Sequence, residues 1–348
     1  MDLAAGKLMV HERRSIRHVD PILVAAAIGL AVIGLFAIYS ATHQSLAAVG
    51  LDPGRFVKRQ VTFLAVGAIV LMLALSFDYR LLKVYAGMIY VSSLVPELDP
   101  EAVPSVAAFL SELRGDLTLR DVFRTAGLAA VPAFLVFLQP DLGTSIVFVA
   151  ILVGMLVVAG ARARYLGVLA LTAVVLIVAG FQVGLVREYQ IERLRGFLDP
   201  ASVSEDALHN REQAEIAIGS GGLTGVGYLQ GSQTNLDFVP EQHTDFVFTV
   251  VGEEFGFAGA ATLLALYGVL LWRAFRVALL SRDPFGTYLA AGIASMLALQ
   301  MFVNVGMNIG IMPITGIPLP FVSYGGSSLL LNLAAVGLLI NVHMRRFA

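Results

Sequence analysis

Ten apolar segments dominate this chain, at roughly 21–42, 58–77, 82–97, 103–113, 124–139, 142–160, 165–186, 245–272, 287–308 and 323–342. Many of them approach the ~20 residues that carry a helix across a bilayer core. Lipid offers no partner to a backbone amide or carbonyl, so each spanning segment has to close its hydrogen bonds internally, as a helix. The expected fold is therefore an all-α polytopic membrane protein with about ten transmembrane helices. The third and fourth segments are too short to span well. Residues 1–20 read as a cytoplasmic N-terminal segment, 21–348 as one multi-pass membrane domain, and 187–243 as a large external loop between helices 7 and 8.

Composition agrees with a membrane setting: 57% of residues are apolar and 14% charged, with a mean hydropathy of +0.81. A net charge of −2 supplies no basic stripe for phosphates, so a nucleic-acid partner is not expected. With no cysteine in the chain, disulfides, thiolate catalysis and Cys-ligated metal are excluded. The basic residues before the first apolar run lack a small-residue cleavage pattern, which predicts a retained first span.

Orientation follows from the short loops that hold Lys and Arg. Arg13, Arg14 and Arg17, Arg80 and Lys83, Arg114, Arg120 and Arg124, Arg162 and Arg164, Arg273, Arg276 and Arg282, and Arg345 and Arg346 fall on one side if there are ten spans. That side is the cytoplasm, with both termini. Arg55, Lys58 and Arg59 fall on the opposite side and run against the bias. The 187–243 segment, the Gln139-Pro140-Asp141 turn and the 313–320 loop are then external together.

Pro240-Glu241-Gln242-His243-Thr244-Asp245-Phe246 stands at the mouth of the eighth segment. A carboxylate there is costly to desolvate and marks a functional site. The glycines of 217–227 permit close approach of backbone to a ligand or simply form a turn. Arg187, Arg193 and Arg195 precede them, and a guanidinium fork suits phosphate as well as lipid headgroups. Three prolines and three glycines within 313–326 cannot form a continuous helix, so this loop either lines the site or joins two helices as a rigid turn. Glu253 lies near the helix face of Asp245, and Glu254 points roughly opposite. Asp141 reads as an N-cap, Asp199 as a turn former, and Trp272 with Arg273 and Arg276 as an interface anchor.

Residues 213–256, with the 217–227 glycines, the Pro240 to Phe246 run and Glu253-Glu254-Phe255-Gly256, closely resemble the SEDS family (shape, elongation, division and sporulation). So do Gln139-Pro140-Asp141-Leu142-Gly143-Thr144-Ser145, Arg193 with Phe197-Leu198-Asp199-Pro200, and Pro313 to Ser328. Thr234 after Gln233, where division-type members tend to carry Lys, leans towards the elongation type. The resemblance implies a peptidoglycan glycosyltransferase that polymerises lipid II at the outer face of the bacterial cytoplasmic membrane. It implies Asp245 as general base or metal ligand, with Mg²⁺ as the divalent cation. The substrate contacts expected are Arg193, Arg195, Gln213, Ser220, Gly221, Gly222, Glu241, His243, Thr244, Thr315 and Ser323. The partners implied are lipid II, the growing glycan lipid, membrane lipid and a class B penicillin-binding protein. Transport of the lipid-linked precursor and scaffolding of a partner synthase are the competing readings; external clustering of the polar groups favours an enzyme. Between 90 and 113 the chain departs from the family pattern, which would place a full third span, an external loop and a fourth segment there. A chain break or an overlong connection is therefore expected within 92–104.

Overall fold

The computed structural model describes residues 19–92, 102–113, 115–138, 142–182, 205–236 and 238–347. All ten apolar segments are helical where described. The helices are α1 (Pro21–Ala48), α2 (Arg55–Ser76), α3 (Arg80–Val84), α4 (Ala86–Ser92), α5 (Ala102–Glu112), α6 (Leu119–Leu138), α7 (Leu142–Val158), α8 (Ala163–Gln182), α9 (Glu205–Ser220), α10 (Ser232–Asn235), α11 (Val247–Leu280), α12 (Pro284–Asn308) and α13 (Gly326–Arg345). Seven of them, α1, α2, α6, α8, α11, α12 and α13, are long and apolar enough to cross a membrane, and α7 is a shorter apolar helix. The difference from ten is α7 and the third and fourth segments, whose helices α3, α4 and α5 have 5, 7 and 11 residues. At ~1.5 Å per residue none of α3, α4 and α5 reaches across a ~30 Å core. Residues 93–101 lie outside the described residues, and the expected break with them.

The bundle is centred on α12, two-thirds of whose most apolar window is buried. It packs against α5, α7 and α11, while α13 lies along α2 and α11 lies along α1. Small residues let these helices approach closely. A methyl group on Gly154 would meet the Ser295 hydroxyl, and one on Gly34 would meet the Val322 backbone. The most apolar window of α8 has no buried residue, as expected of a face turned to lipid.

Two helix starts are also tie points. Asp20 caps α1 through the amides of Ile22 and Leu23 and holds Arg273 of α11 in a buried ion pair. Asp283 caps α12 through the Gly286 amide at 2.9 Å and accepts from the Tyr79 hydroxyl. Burial, reinforced by that carboxylate, pushes the Tyr79 phenol up to about 12. Asn341 fastens the far end of α13 to α2 by donating to the Ala74 carbonyl at 2.6 Å. Trp272 lies exposed about two turns before the end of α11, with the guanidinium groups of Arg273 and Arg276 over its ring.

Candidate active site around Asp245

The loop before α11 is shaped by Glu241, whose φ of 49° is in the left-handed region. Its carbonyl accepts the Thr244 and Asp245 amides at 3.2 and 3.0 Å, which closes a turn and sets Asp245 just ahead of α11. The Asp245 carbonyl then accepts from Asn304 at 2.9 Å and Asn308 at 3.2 Å, both on the last turns of α12. Asn304 donates as well to the Ile317 carbonyl at 2.7 Å. One fully buried amide therefore fastens the Asp245 turn to the 313–320 loop. The carboxylate lies against that loop: a Cβ on Gly316, where φ is 76°, would stand 3.4 Å from Asp245 Oδ2. A side chain there would touch the carboxylate and strain the backbone.

The 313–320 loop is itself pinned from three sides. Tyr267 donates to the Pro320 carbonyl, the Ser323 hydroxyl accepts the Leu319 amide at 2.8 Å, and Gln60 of α2 donates to the Ser323 carbonyl at 3.1 Å. Tyr324 donates its amide to the His243 carbonyl at 2.9 Å. The rings of Phe56, His243 and Tyr324 gather there, with centroids 4.7 to 5.5 Å apart. Glu241, His243, Thr244, Asp245, Thr315 and Ser323 are thus brought to one mouth, formed by the starts of α2, α11 and α13 and the end of α12. The 313–320 loop joins α12 to α13 and also lies against the Asp245 carboxylate.

Other expected residues sit elsewhere. Gln213 lies on α9 beside Ala214, which packs with Val239, Phe246 and Ile314 against the same loop. Ser220, Gly221 and Gly222 follow at the far end of α9, packed near Gly252, about 10 Å along α11 from Asp245. Val226 and Gly227 donate to the Glu253 and Glu254 carbonyls at 3.0 and 3.1 Å. Gly222 and Leu223 accept the Phe257 and Ala258 amides at 2.9 and 3.0 Å. Those backbone groups close the kink of α11 at Gly256, whose φ is 61°. The glycines serve contact between two backbones, because a Cβ on Gly221 or Gly225 would lie 2.0 Å from a carbonyl oxygen of α11. Arg193 and Arg195 lie outside the described residues, as do Arg187, Gln139, Asp141 and Asp199.

Glu253 and Glu254 are both buried and both engaged. Glu253 accepts the Gln233 amide at 2.8 Å and the Thr234 amide and hydroxyl at 3.0 and 2.7 Å. Gln242 donates to that same hydroxyl and to Thr249, both at 3.1 Å, which links the capped α10 to the Asp245 turn. Glu254 accepts from Ser40 of α1 and from the Leu229 amide at 3.0 Å. Burial first, then the nearby Glu254 charge, raises the Tyr228 phenol above its ordinary range. These carboxylates hold the loop between α9 and α11 to the bundle. Sequence reading missed Asn304, Asn308 and Gln242, and two asparagines one turn apart in an apolar helix are the signal that points to them.

The family model described as "Cell cycle protein", covering FtsW, RodA and SpoVE, matches residues 103–347. The chain belongs to this family. Among curated relatives, stage V sporulation protein E of Bacillus subtilis is 37% identical, over 93% of this chain and 96% of the relative. The peptidoglycan glycosyltransferase MrdB of Escherichia coli is 33% identical over 94% of each. Among solved structures, the chain is similar to a component of a peptidoglycan synthase complex, described under polymerization and crosslinking, with a TM-score of 0.77 and 30% identity over 94% of this chain and 98% of that one. The Thermus thermophilus rod shape determining protein RodA matches with a TM-score of 0.65 and 28% identity over 95% of this chain and 98% of that one. This family member is a multi-pass helical membrane protein.

Proposed function

We propose that this family member is a peptidoglycan glycosyltransferase that polymerises lipid II into glycan strands at the outer face of the bacterial cytoplasmic membrane during cell elongation. The observation that carries the reading is the Asp245 carboxylate, set at the mouth of the bundle against Gly316 by two asparagines that grip its own carbonyl. A sugar hydroxyl is a poor nucleophile until its proton is taken, and such assistance is worth typically ~10² to 10⁴ in rate. In the proposed reaction the acceptor hydroxyl oxygen attacks the anomeric carbon of the lipid-linked donor. The bond from that carbon to the pyrophosphate oxygen breaks, Asp245 takes the hydroxyl proton, and the polyprenyl pyrophosphate leaves with the bonding pair. Arg193, with Arg195, is suited to the leaving pyrophosphate by charge and fork geometry. His243, Thr244, Glu241, Thr315 and Ser323 frame the acceptor side.

A divalent cation, Mg²⁺, fits this mouth only in one form. Among the described residues no group of three or more acidic or histidine side chains converges on one point, whereas Mg²⁺ is commonly held by one or two carboxylates together with substrate phosphates. Asp245 would be its protein ligand, and the ion would supply neutralisation of charge on the pyrophosphate.

The partner proposed is a class B penicillin-binding protein, supported by the likeness to a component of a synthase complex. Both termini and 273–286, the end of α11 with the turn into α12, are assigned to the cytoplasm, and 187–243 with 313–320 to the outside. Purified protein incubated with labelled lipid II tests the activity directly: glycan ladders are expected, and their absence from folded protein, with or without the partner, refutes the reading.

A further inference from the structure

Arg55, Lys58 and Arg59 stand on the side that the charge bias of the remaining loops assigns to the outside. Charges placed against that bias call for a reason of their own. The structure places them at the start of α2, the helix whose Phe56 meets His243 and whose Gln60 holds Ser323.

The helical wheel separates the three. Phe56, Gln60, Phe63 and Gly67 all touch the site or α13: Phe63 packs on Gly326 and Gly67 on Leu333. At about 100° per residue these four positions share one narrow stripe. Arg59 flanks the stripe at about 70° from its centre, Arg55 follows at about 110°, and Lys58 points away. Lys58 is also neutralised, by Asp52 at 2.5 Å, and that pairing holds the Asp52 carboxyl below its usual range. Arg55 and Arg59 are exposed and form no ion pair with a carboxylate among the described residues. Two guanidinium groups without a carboxylate partner among the described residues therefore stand on the helix whose start forms the α2 side of the Asp245 mouth, Arg59 nearer the site-facing stripe than Arg55. The ring cluster of Phe56, His243 and Tyr324 fixes their helix to the Asp245 turn.

We infer that Arg59 and Arg55 form an anion subsite for the pyrophosphate of a lipid-linked sugar, on the α2 side of the mouth. Guanidinium forks match phosphate oxygens in pairs, and a membrane-borne substrate reaches this rim from the outer leaflet. The subsite is independent of Arg193. It rests on the glycosyltransferase reading for the identity of the sugar but not for the phosphate chemistry.

The probe is a polyprenyl pyrophosphate, which the reaction does not consume, bound to the full chain in phosphatidylcholine nanodiscs. The Arg55→Ala, Arg59→Ala double variant is expected to bind it about tenfold more weakly or worse, the scale of lost charge-assisted hydrogen bonds. Lys58→Ala should bind as the parent does, and Arg59→Lys should recover only part of the loss. Excess phosphatidylglycerol should not displace the probe. In the lipid II assay the double variant should raise KM by a similar factor and leave kcat within about threefold, the pattern of lost substrate binding. A folded double variant with parental probe affinity overturns the inference, and so does displacement by phosphatidylglycerol, which would make the rim a contact for bulk lipid. Arginine-dependent probe binding by a parent that makes no glycan would leave this subsite standing and refute the enzymatic reading alone.

Discussion

Asn304 is the residue whose replacement most sharply tests how the mouth is held together. Its side chain is fully buried and donates to two carbonyls on different loops, Asp245 at 2.9 Å and Ile317 at 2.7 Å. Asn304→Leu keeps the volume and removes both donors. The Asp245 carbonyl retains Asn308, but the bond to the Ile317 carbonyl has no substitute among the described residues. An orphaned buried carbonyl costs about 1–3 kcal/mol, and net loss of the other bond about 0.5–1.5. Together these predict roughly 2–4 kcal/mol of lost stability. Asn304→Asp should be worse although nearly isosteric, because it turns an acceptor, and a charge if ionised, towards two carbonyls in a buried site. Activity should fall further than stability alone requires, since ~1 Å of misplacement at a reacting group can lower a rate ~10²-fold. Thermal melting in detergent ranks the variants, and the lipid II assay below their melting temperatures isolates the kinetic effect. Parental melting and parental rate for Asn304→Leu would refute the idea that this amide clamps the two loops.

Three further outcomes follow from the same contacts. Glu253→Gln turns an amide nitrogen towards one of the three donors it now accepts, so a loss of about 2–3 kcal/mol is expected, read as a lower melting temperature with faster proteolysis of the 221–243 loop. Burial and the Asp283 carboxylate raise the Tyr79 phenol in the folded chain to about 12, above its ordinary 10.0, so its contribution is complete below pH 10 and is lost as pH rises through 12. Tyr79→Phe should be less stable than the parent at pH 8 and lose less between pH 10 and 12; a constant difference across that window contradicts the assignment. For orientation, a single cysteine at Ser202 should react with an impermeant reagent on intact cells, and labelling only after the cells are opened would reverse the topology.

Much of the fold was legible because helices in lipid carry their evidence in length and hydropathy alone. The ten segments became helices, and the two flagged as short became α3 to α5. The mouth was also legible in outline: Pro and Gly broke the 313–326 stretch, and a carboxylate stood beside an apolar run at Asp245. Its fastening was not. Asn304 and Asn308 are polar letters inside an apolar helix, and only tertiary packing reveals that both face the Asp245 carbonyl. Glu253 falls about 80° from Asp245 on a helical wheel, near its face, yet its three donors come from a loop twenty residues upstream. The 217–227 glycines suggest an anion cradle with equal force in any sequence; here they let the chain lie directly on the kinked backbone of α11. Arg55 and Arg59 read as an exception to charge bias until Phe56 and Gln60 tied their helix to the site.

Glycan synthesis by an Asp245→Asn protein tests the central claim most directly. The substitution keeps size and hydrogen-bonding capacity and leaves the Asp245 backbone contacts to Asn304 and Asn308 in place. Basicity and negative charge disappear, so polymerisation of labelled lipid II should fall by ~10² or more, with melting and membrane insertion unchanged. Loss of a base lowers the rate at saturating Mg²⁺, whereas loss of a ligand shifts the cation concentration required. A folded Asp245→Asn protein that builds glycan strands at the parental rate would contradict the account and return transport or scaffolding to first place.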